Sequence, residues 1–205
     1  MNDPHAVTSL AALEALYGEV NANSQLKVRR DIDVPSRDFI ARSPFCILST
    51  RGADGAVHGT PRGDAPGFVH VLSGTEIALP DRRGNNRLDA LRDIVADPQV
   101  ALLFLIPGVG ETLRVAGRGT ITADPALCSQ LAEQGRAPTT VLRIAVEEVY
   151  FQCARALLRS GLWGSTPRPA GVPTAGQFLK SATAGAFDAE TYDAEAPARL
   201  AANLY

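Results

Sequence analysis

Apolar residues recur along this chain in two rhythms. In residues 8–20, Leu10, Leu13, Leu16, Tyr17 and Val20 return every three or four positions, which predicts a helix capped by Thr8 or Ser9. Pro35 and Ser36 open a short second helix over 37–41, with Ser36 as its cap, and Pro44 stops it. The rhythm then becomes that of strands. Phe45 to Thr50 is a buried-type strand, Asp54-Gly55 a hairpin turn, and residues 56–61 the returning strand. Segments 68–72 and 76–79 flank a turn at Ser73, Gly74 and Thr75.

Helical spacing reappears at Leu88, Leu91, Ile94 and Val95, so a helix is expected from near Asn86 to 95. Residues 100–106 are apolar on both faces, as in a central strand. Another strand spans 112–121, with Gly117 and Gly119 as bulges or close approaches. Asp124 followed by Pro125 starts a helix that runs to Gln134 and ends at Gly135. A long strand over 139–151 and a helix over 154–160, closing at Gly161, complete the pattern. Beyond Ser165, the prolines at 167, 169 and 173 and the glycines at 171 and 176 read as a linker. Residues 188–205, alanine-rich and acidic, read as either a weak helix or a disordered tail.

Six or seven strands with few intervening helices make this an α+β chain built on an antiparallel β-barrel. A doubly wound parallel sheet is excluded, because the connections before residue 80 are too short for crossover helices. Three parts follow: an N-terminal helix and connection over 1–35, the barrel domain over 36–164, and a Pro/Gly-rich linker with a tail over 165–205.

Composition narrows the function. The chain has 205 residues, 45% hydrophobic and 20% charged, enough for one packed core. A net charge of −2 gives no overall attraction to nucleic acid or an acidic membrane. No apolar run approaches the ~20 residues of a membrane helix, and the first residues lack a secretory pattern. Three cysteines, Cys46, Cys128 and Cys153, form neither a disulfide framework nor a zinc pattern. They read as small core residues in a reducing cytoplasm.

The candidate chemistry sits where a strand ends. Ile77 to Leu79 stops at Pro80, and Asp81-Arg82-Arg83-Gly84-Asn85-Asn86-Arg87 leads into the helix. The first-turn N–H groups of a helix and its dipole favour an anion, and arginine's planar fork matches phosphate oxygens. This is either a phosphate site or a solvated basic connection. Arg62, after a strand and beside Pro61 and Gly63, either faces a cleft or pairs with Asp64 at the core edge. His58 and His70 have no partner at ligand spacing, so no metal site is expected. The glycine-rich segment 107–112 lacks the lysine of a phosphate loop and reads as a hairpin. No pair of carboxylates stands out as an acid–base couple.

Taken in order, several pieces resemble the FMN-binding split barrel of the pyridoxamine 5′-phosphate oxidase class, over about residues 36–164. They are Phe45 to Thr50, Thr60-Pro61-Arg62-Gly63-Asp64, Leu79 to Arg87, Asp97 to Phe104 and Leu113 to Gly119. The segments 104–114 and 156–163 are similar to a bacterial subgroup of FMN-dependent enzymes. The resemblance implies a homodimer with FMN at the subunit interface. It places Arg62 beside the flavin, Pro80 and Asp81 at the ring edge, and Arg82, Arg83, Asn86 and Arg87 at the phosphate. It assigns Thr112, Arg114 and Trp163 to a reach across from the second subunit, Trp163 also being open to plain hydrophobic docking. Ala90 stands where the family has a lysine, with Arg87 one turn earlier as its replacement. The oxidase's C-terminal substrate signature is absent after Trp163, so pyridoxamine phosphate is not carried over as substrate. The implied function is an FMN-dependent oxidoreductase for a small molecule, with reduced nicotinamide, NAD(P)H, as one candidate donor. The alternatives are a non-catalytic flavin-binding or sensor protein, or a split barrel that uses F420 or haem, the last with His58 or His70 facing the cavity.

Overall fold

The computed structural model describes residues 3–18, 27–84, 86–164 and 171–202. Val20, the linker positions 165–170 and the last residues, 203–205, lie outside them. The elements are α1 (Leu10–Tyr17), α2 (Val34–Arg42), β1 (Phe45–Arg51), β2 (Val57–Gly63), β3 (His70–Ser73) and β4 (Glu76–Pro80). Then follow α3 (Asp89–Ala96), β5 (Gln99–Leu105), β6 (Thr112–Thr122), α4 (Pro125–Gln130), β7 (Val141–Gln152) and α5 (Arg155–Ser160). The chain ends in α6 (Ala175–Ala182), α7 (Ala189–Ala194) and α8 (Ala196–Ala202).

The seven strands form one antiparallel sheet, ordered β2-β1-β5-β6-β7-β4-β3. With its flanking helices it is the α+β split-barrel arrangement. The long β6–β7 ladder is the spine. β5 pairs with one half of β6, and β4 pairs with the first half of β7. The spine changes register between Ala116 and Gly117. Gly117 is required there, because a Cβ would lie 2.0 Å from the Ala145 carbonyl oxygen. Gly119 lets Leu142 and Ile94 close in, at 2.8 and 3.2 Å from where its Cβ would be. Both glycines thus mark a bulge and a close approach, as their place in the strand pattern suggests.

Period-two alternation builds the core. Cys46 and Leu48 of β1, Val100, Leu102 and Phe104 of β5, Leu113 and Val115 of β6, and Leu142, Ile144 and Val149 of β7 are all buried in one cluster. Burying each such large side chain contributes about 1.5–3 kcal/mol. Burial pushes the Cys46 thiol up to about 12, with Arg62 weakly opposing. Cys128 is buried too, but Cys153 is exposed, contrary to the core role read for it. The Arg155 backbone N–H, then the charges of Arg155 and Lys27, hold its thiol below the ordinary value.

Other boundaries depart from the sequence pattern. Asp33, rather than Ser36, caps α2, accepting from the Ser36 N–H at 3.0 Å. α1 is capped by Ser9, yet none of its residues is buried. α4 stops at Gln130, and the chain then turns on Gln134 and Gly135, both at positive φ. Within the stretch that reads as linker and tail, Thr174 and Gln177 form a reciprocal cap that starts α6.

α3 begins at Asp89, three residues later than its apolar spacing suggests, because Asn86 and Leu88 adopt positive φ of 57° and 61°. Its buried face is Ala90, Asp93 and Ile94, while Leu88 and Val95 stay exposed. A polar contact sets that rotation. The Asp93 Oδ2 accepts from Thr50 Oγ1 at 2.7 Å and lies 2.7 Å from His58 Nδ1. One carboxylate therefore ties α3 to both β1 and β2.

The bulge and the buried acid can each be tested. Gly117→Ala should lower stability by about 1–3 kcal/mol or more, read from the urea midpoint. The acid is tested by pH. Hydrogen bonding to Asp93, then its charge, raises His58 above its ordinary 6.5, and the Thr50 and His58 hydrogen bonds lower Asp93 below its ordinary 3.8. His58 then contributes fully below pH 6.5 and loses its contribution as pH rises through its raised value. Asp93 contributes above 3.8 and loses its part as pH falls through its lowered value. Melting temperature against pH should show both limbs, and His58→Gln should flatten the alkaline one.

Candidate functional site

The face of the sheet that is apolar on β1, β5, β6 and β7 turns polar on β2. His58, Thr60 and Arg62 stand opposite Thr50, Leu48 and Cys46, so they share the core-facing side. β2 is an edge strand, and Thr60 and Arg62 on its inner face are only partly buried. A cleft of 1090 Å³ opens there. Its other walls are the β4–α3 loop, the start of α3 and the segment 136–140 that leads into β7.

Five arginines line the cleft, Arg62, Arg82, Arg83, Arg87 and Arg136, against two carboxylates, Asp81 and Asp89. Their roles differ. Arg83 is exposed and has no hydrogen bond or ion pair among the described residues. Arg87 donates through Nε to Asp89 Oδ2 at 2.9 Å while three-quarters exposed, a contact that costs little to exchange for another anion. Arg82 is largely buried. Its Nε donates to Asp64 at 2.6 Å and its Nη1 to the Leu131 carbonyl at 2.8 Å. The partner read for Arg62, Asp64, therefore belongs to Arg82. Arg62 instead lies 3.5 Å from Asp81. Burial pushes the Asp81 carboxyl above the ordinary carboxylate range, and Arg62 only partly offsets this.

The N-terminus of α3 completes the basic wall. Leu88 occupies its cap position in a left-handed conformation and supplies no side-chain hydrogen bond. A left-handed, branched residue is strained by about 1–3 kcal/mol, and the first-turn N–H groups keep their affinity for an acceptor. Asn86, also left-handed, lines the same cleft at lower cost, since asparagine tolerates this region. The excess of positive charge and the uncapped helix end fit a phosphate monoester.

Of the residues singled out by sequence, the structure brings Arg62, Asp81, Arg82, Arg83, Asn86 and Arg87 to this cleft. Pro80 does not line it: it is fully buried at the end of β4 and paired with Val141. Thr112, Arg114 and Trp163 are elsewhere in the protomer. Thr112 is buried, its hydroxyl 3.4 Å from Gln152. Arg114 donates to the Tyr150 hydroxyl at 3.0 Å on the outer face of the sheet. The Trp163 indole donates to the Val109 carbonyl at 2.7 Å. Neither His58 nor His70 lines the cleft. Sequence reading missed Arg136 and Thr60. Arg136 follows a Gln134-Gly135 turn, a hairpin signal that could have marked it as projecting.

Among the described residues, no histidine, cysteine and carboxylate cluster is placed to hold a metal, and no helix is long and apolar enough to cross a membrane. No curated protein matches the chain. Solved structures do. A single-substitution variant of HupZ from Group A Streptococcus is 15% identical, with a TM-score of 0.50 over 59% of this chain and 99% of that one. A candidate pyridoxamine 5′-phosphate oxidase from Lactobacillus delbrueckii is 18% identical, at 0.47 over 60% and 95%. A FAD-binding protein from Mesorhizobium loti is 18% identical, at 0.38 over 60% and 96%. At these identities the HupZ likeness supports the fold alone. The family model described as pyridoxamine 5′-phosphate oxidase matches residues 35–153, which takes in β1 to β7 and every wall of the cleft. By that match the chain belongs to the pyridoxamine 5′-phosphate oxidase family.

Proposed function

We infer that this chain binds FMN in the arginine-lined cleft and acts as an oxidoreductase on a small organic molecule. The observation that carries this reading is the convergence of Arg83, Arg87 and the uncapped start of α3 on one cleft, in a chain of this family. Bound there, FMN would supply hydride transfer, the redox chemistry that no side chain here can perform. Arg83 and Arg87 hold the phosphate as charge-assisted donors. Thr60 and Arg62 of β2 line the floor of the cleft, where Arg62 would offer positive charge to a reduced flavin. Asp81, with its raised carboxyl, lies 3.5 Å from Arg62 at that floor.

The reading includes a homodimer. On the outer face of the sheet, Pro61, Ile47, Leu103, Arg114 and Tyr150 stand in one row across β2, β1, β5, β6 and β7. Ile47 and Leu103 are only half-buried, an apolar stripe that a second copy would cover. In this arrangement Arg114 and Trp163 of one protomer serve the other's cleft, which accounts for their distance from their own.

The purified protein should absorb in the flavin region, and heating should release FMN by chromatography. A colourless protein that takes up no added FMN overturns the reading. Arg83→Gln and Arg87→Gln should each weaken FMN about ten- to hundred-fold, with riboflavin binding unchanged. Light scattering should give the mass of a dimer.

A further inference from the structure

The segment 131–140 is fastened at both ends to two consecutive residues of the arginine loop. At one end, the Arg82 Nη1 donates to the Leu131 carbonyl at 2.8 Å. At the other, the Asp81 backbone N–H donates to the Thr140 carbonyl at 3.0 Å. Between the clamps, Glu133 and Arg136 exchange two backbone hydrogen bonds of 3.1 and 2.9 Å. They do so around Gln134 and Gly135, at φ 49° and 77°, the signs of a tight two-residue hairpin turn. Leu131, 2% exposed, packs with Ala78, Cys128 and Val141 and anchors the base. A surface loop ten residues long is thus fixed against the loop that carries Arg83 and Arg87, and it presents Arg136 to the same cleft.

We propose that Arg136 is a further residue of the anion site, binding a phosphate monoester from a second rim, and that Arg82 is a positioning residue that joins the two rims. This rests on the reading of the cleft as a phosphate site for FMN. Two of Arg82's five N–H donors are committed to the scaffold, Nε to Asp64 and one on Nη1 to Leu131. The Asp64 side chain is 1% exposed, so turning Arg82 toward a ligand would take the cation from a buried carboxylate. Arg136 is exposed and on a clamped turn, where a planar donor fork can meet an anion without moving the backbone. Charges on two rims grip a dianion from two sides, which selects a phosphate monoester over an uncharged analogue.

Asp64→Asn separates a strut from a ligand. Were Arg82 a ligand, loss of its carboxylate would free a cation, and phosphate-bearing ligands would bind as tightly or more so. For a strut, the same change slackens the joint between the rims and weakens them. The test is calorimetric titration of the full chain with FMN, riboflavin and inorganic phosphate, for wild type, Arg136→Gln and Asp64→Asn. Melting curves verify that each variant is folded. The proposal expects about a tenfold loss of FMN affinity in Arg136→Gln and a loss of several-fold or more in Asp64→Asn, with riboflavin unchanged in Arg136→Gln. Unchanged FMN binding in Arg136→Gln, or undiminished binding in Asp64→Asn, overturns it. Should Asp64→Asn not fold, Arg82→Lys takes its place. Lysine keeps the charge of a ligand, but its single nitrogen cannot reproduce the spacing of Nε and Nη1 that spans Asp64 and Leu131, so retained FMN affinity overturns the strut. A wild type that binds phosphate but not FMN, with the same losses in the variants, removes the FMN reading and leaves the proposal standing. A wild type that binds neither removes both.

Discussion

A carboxylate taken out of water must be matched, and Asp64 is almost wholly out of water. Its match is Arg82, at 2.6 Å, and the two sit where four segments meet. The Asp64 N–H donates to the Pro44 carbonyl, just before β1, at 3.1 Å. Its side chain closes the end of β2, Arg82 opens the loop after β4, and Leu131 heads the segment before β7. Removing either partner of such a pair costs about 3–5 kcal/mol. The larger effect is geometric. The pair joins the end of β2, the start of the β4–α3 loop and the head of the segment before β7, all of which lead into walls of the cleft.

The same face of the sheet serves as core and as site. Across β1, β5, β6 and β7 it is apolar and closed, and on β2 it carries His58, Thr60 and Arg62. The change is tolerated because each polar group has an outlet. His58 meets Asp93, Arg62 meets Asp81, and Thr60 opens on the cleft. The core thus ends at β2 by a change of chemistry, with no break in the ladder. α3 is held across that boundary by Ile94 on the apolar side and Asp93 on the polar side.

What could be read from the sequence was local. The strands follow from alternation, Gly117 from its place within a strand, and the arginine loop from a strand that ends at Pro80 and leads to a helix. These signals need only a few neighbouring residues. Arg136 needed more, because its place depends on a contact between Arg82 and Leu131, forty-nine residues apart. The pairing of Arg82 with Asp64, and not Arg62 with Asp64, is likewise decided by which strands neighbour each other. The rotation of α3 misled because its apolar stripe included Leu88 and Val95, whereas a buried acid, Asp93, fixed the inner face. α6 carried a readable cap in Thr174 and Gln177, masked by the prolines and glycines around it.

β2 is also one of the two edges of the sheet, and the cleft opens along it. An edge beside an open site is exposed to a hazard: any extended segment can pair with its unused backbone groups and propagate as aggregate. Pro61, midway along β2, has no N–H to give to such a strand. The chain can therefore leave the side with the cleft open while denying it to another polypeptide's backbone.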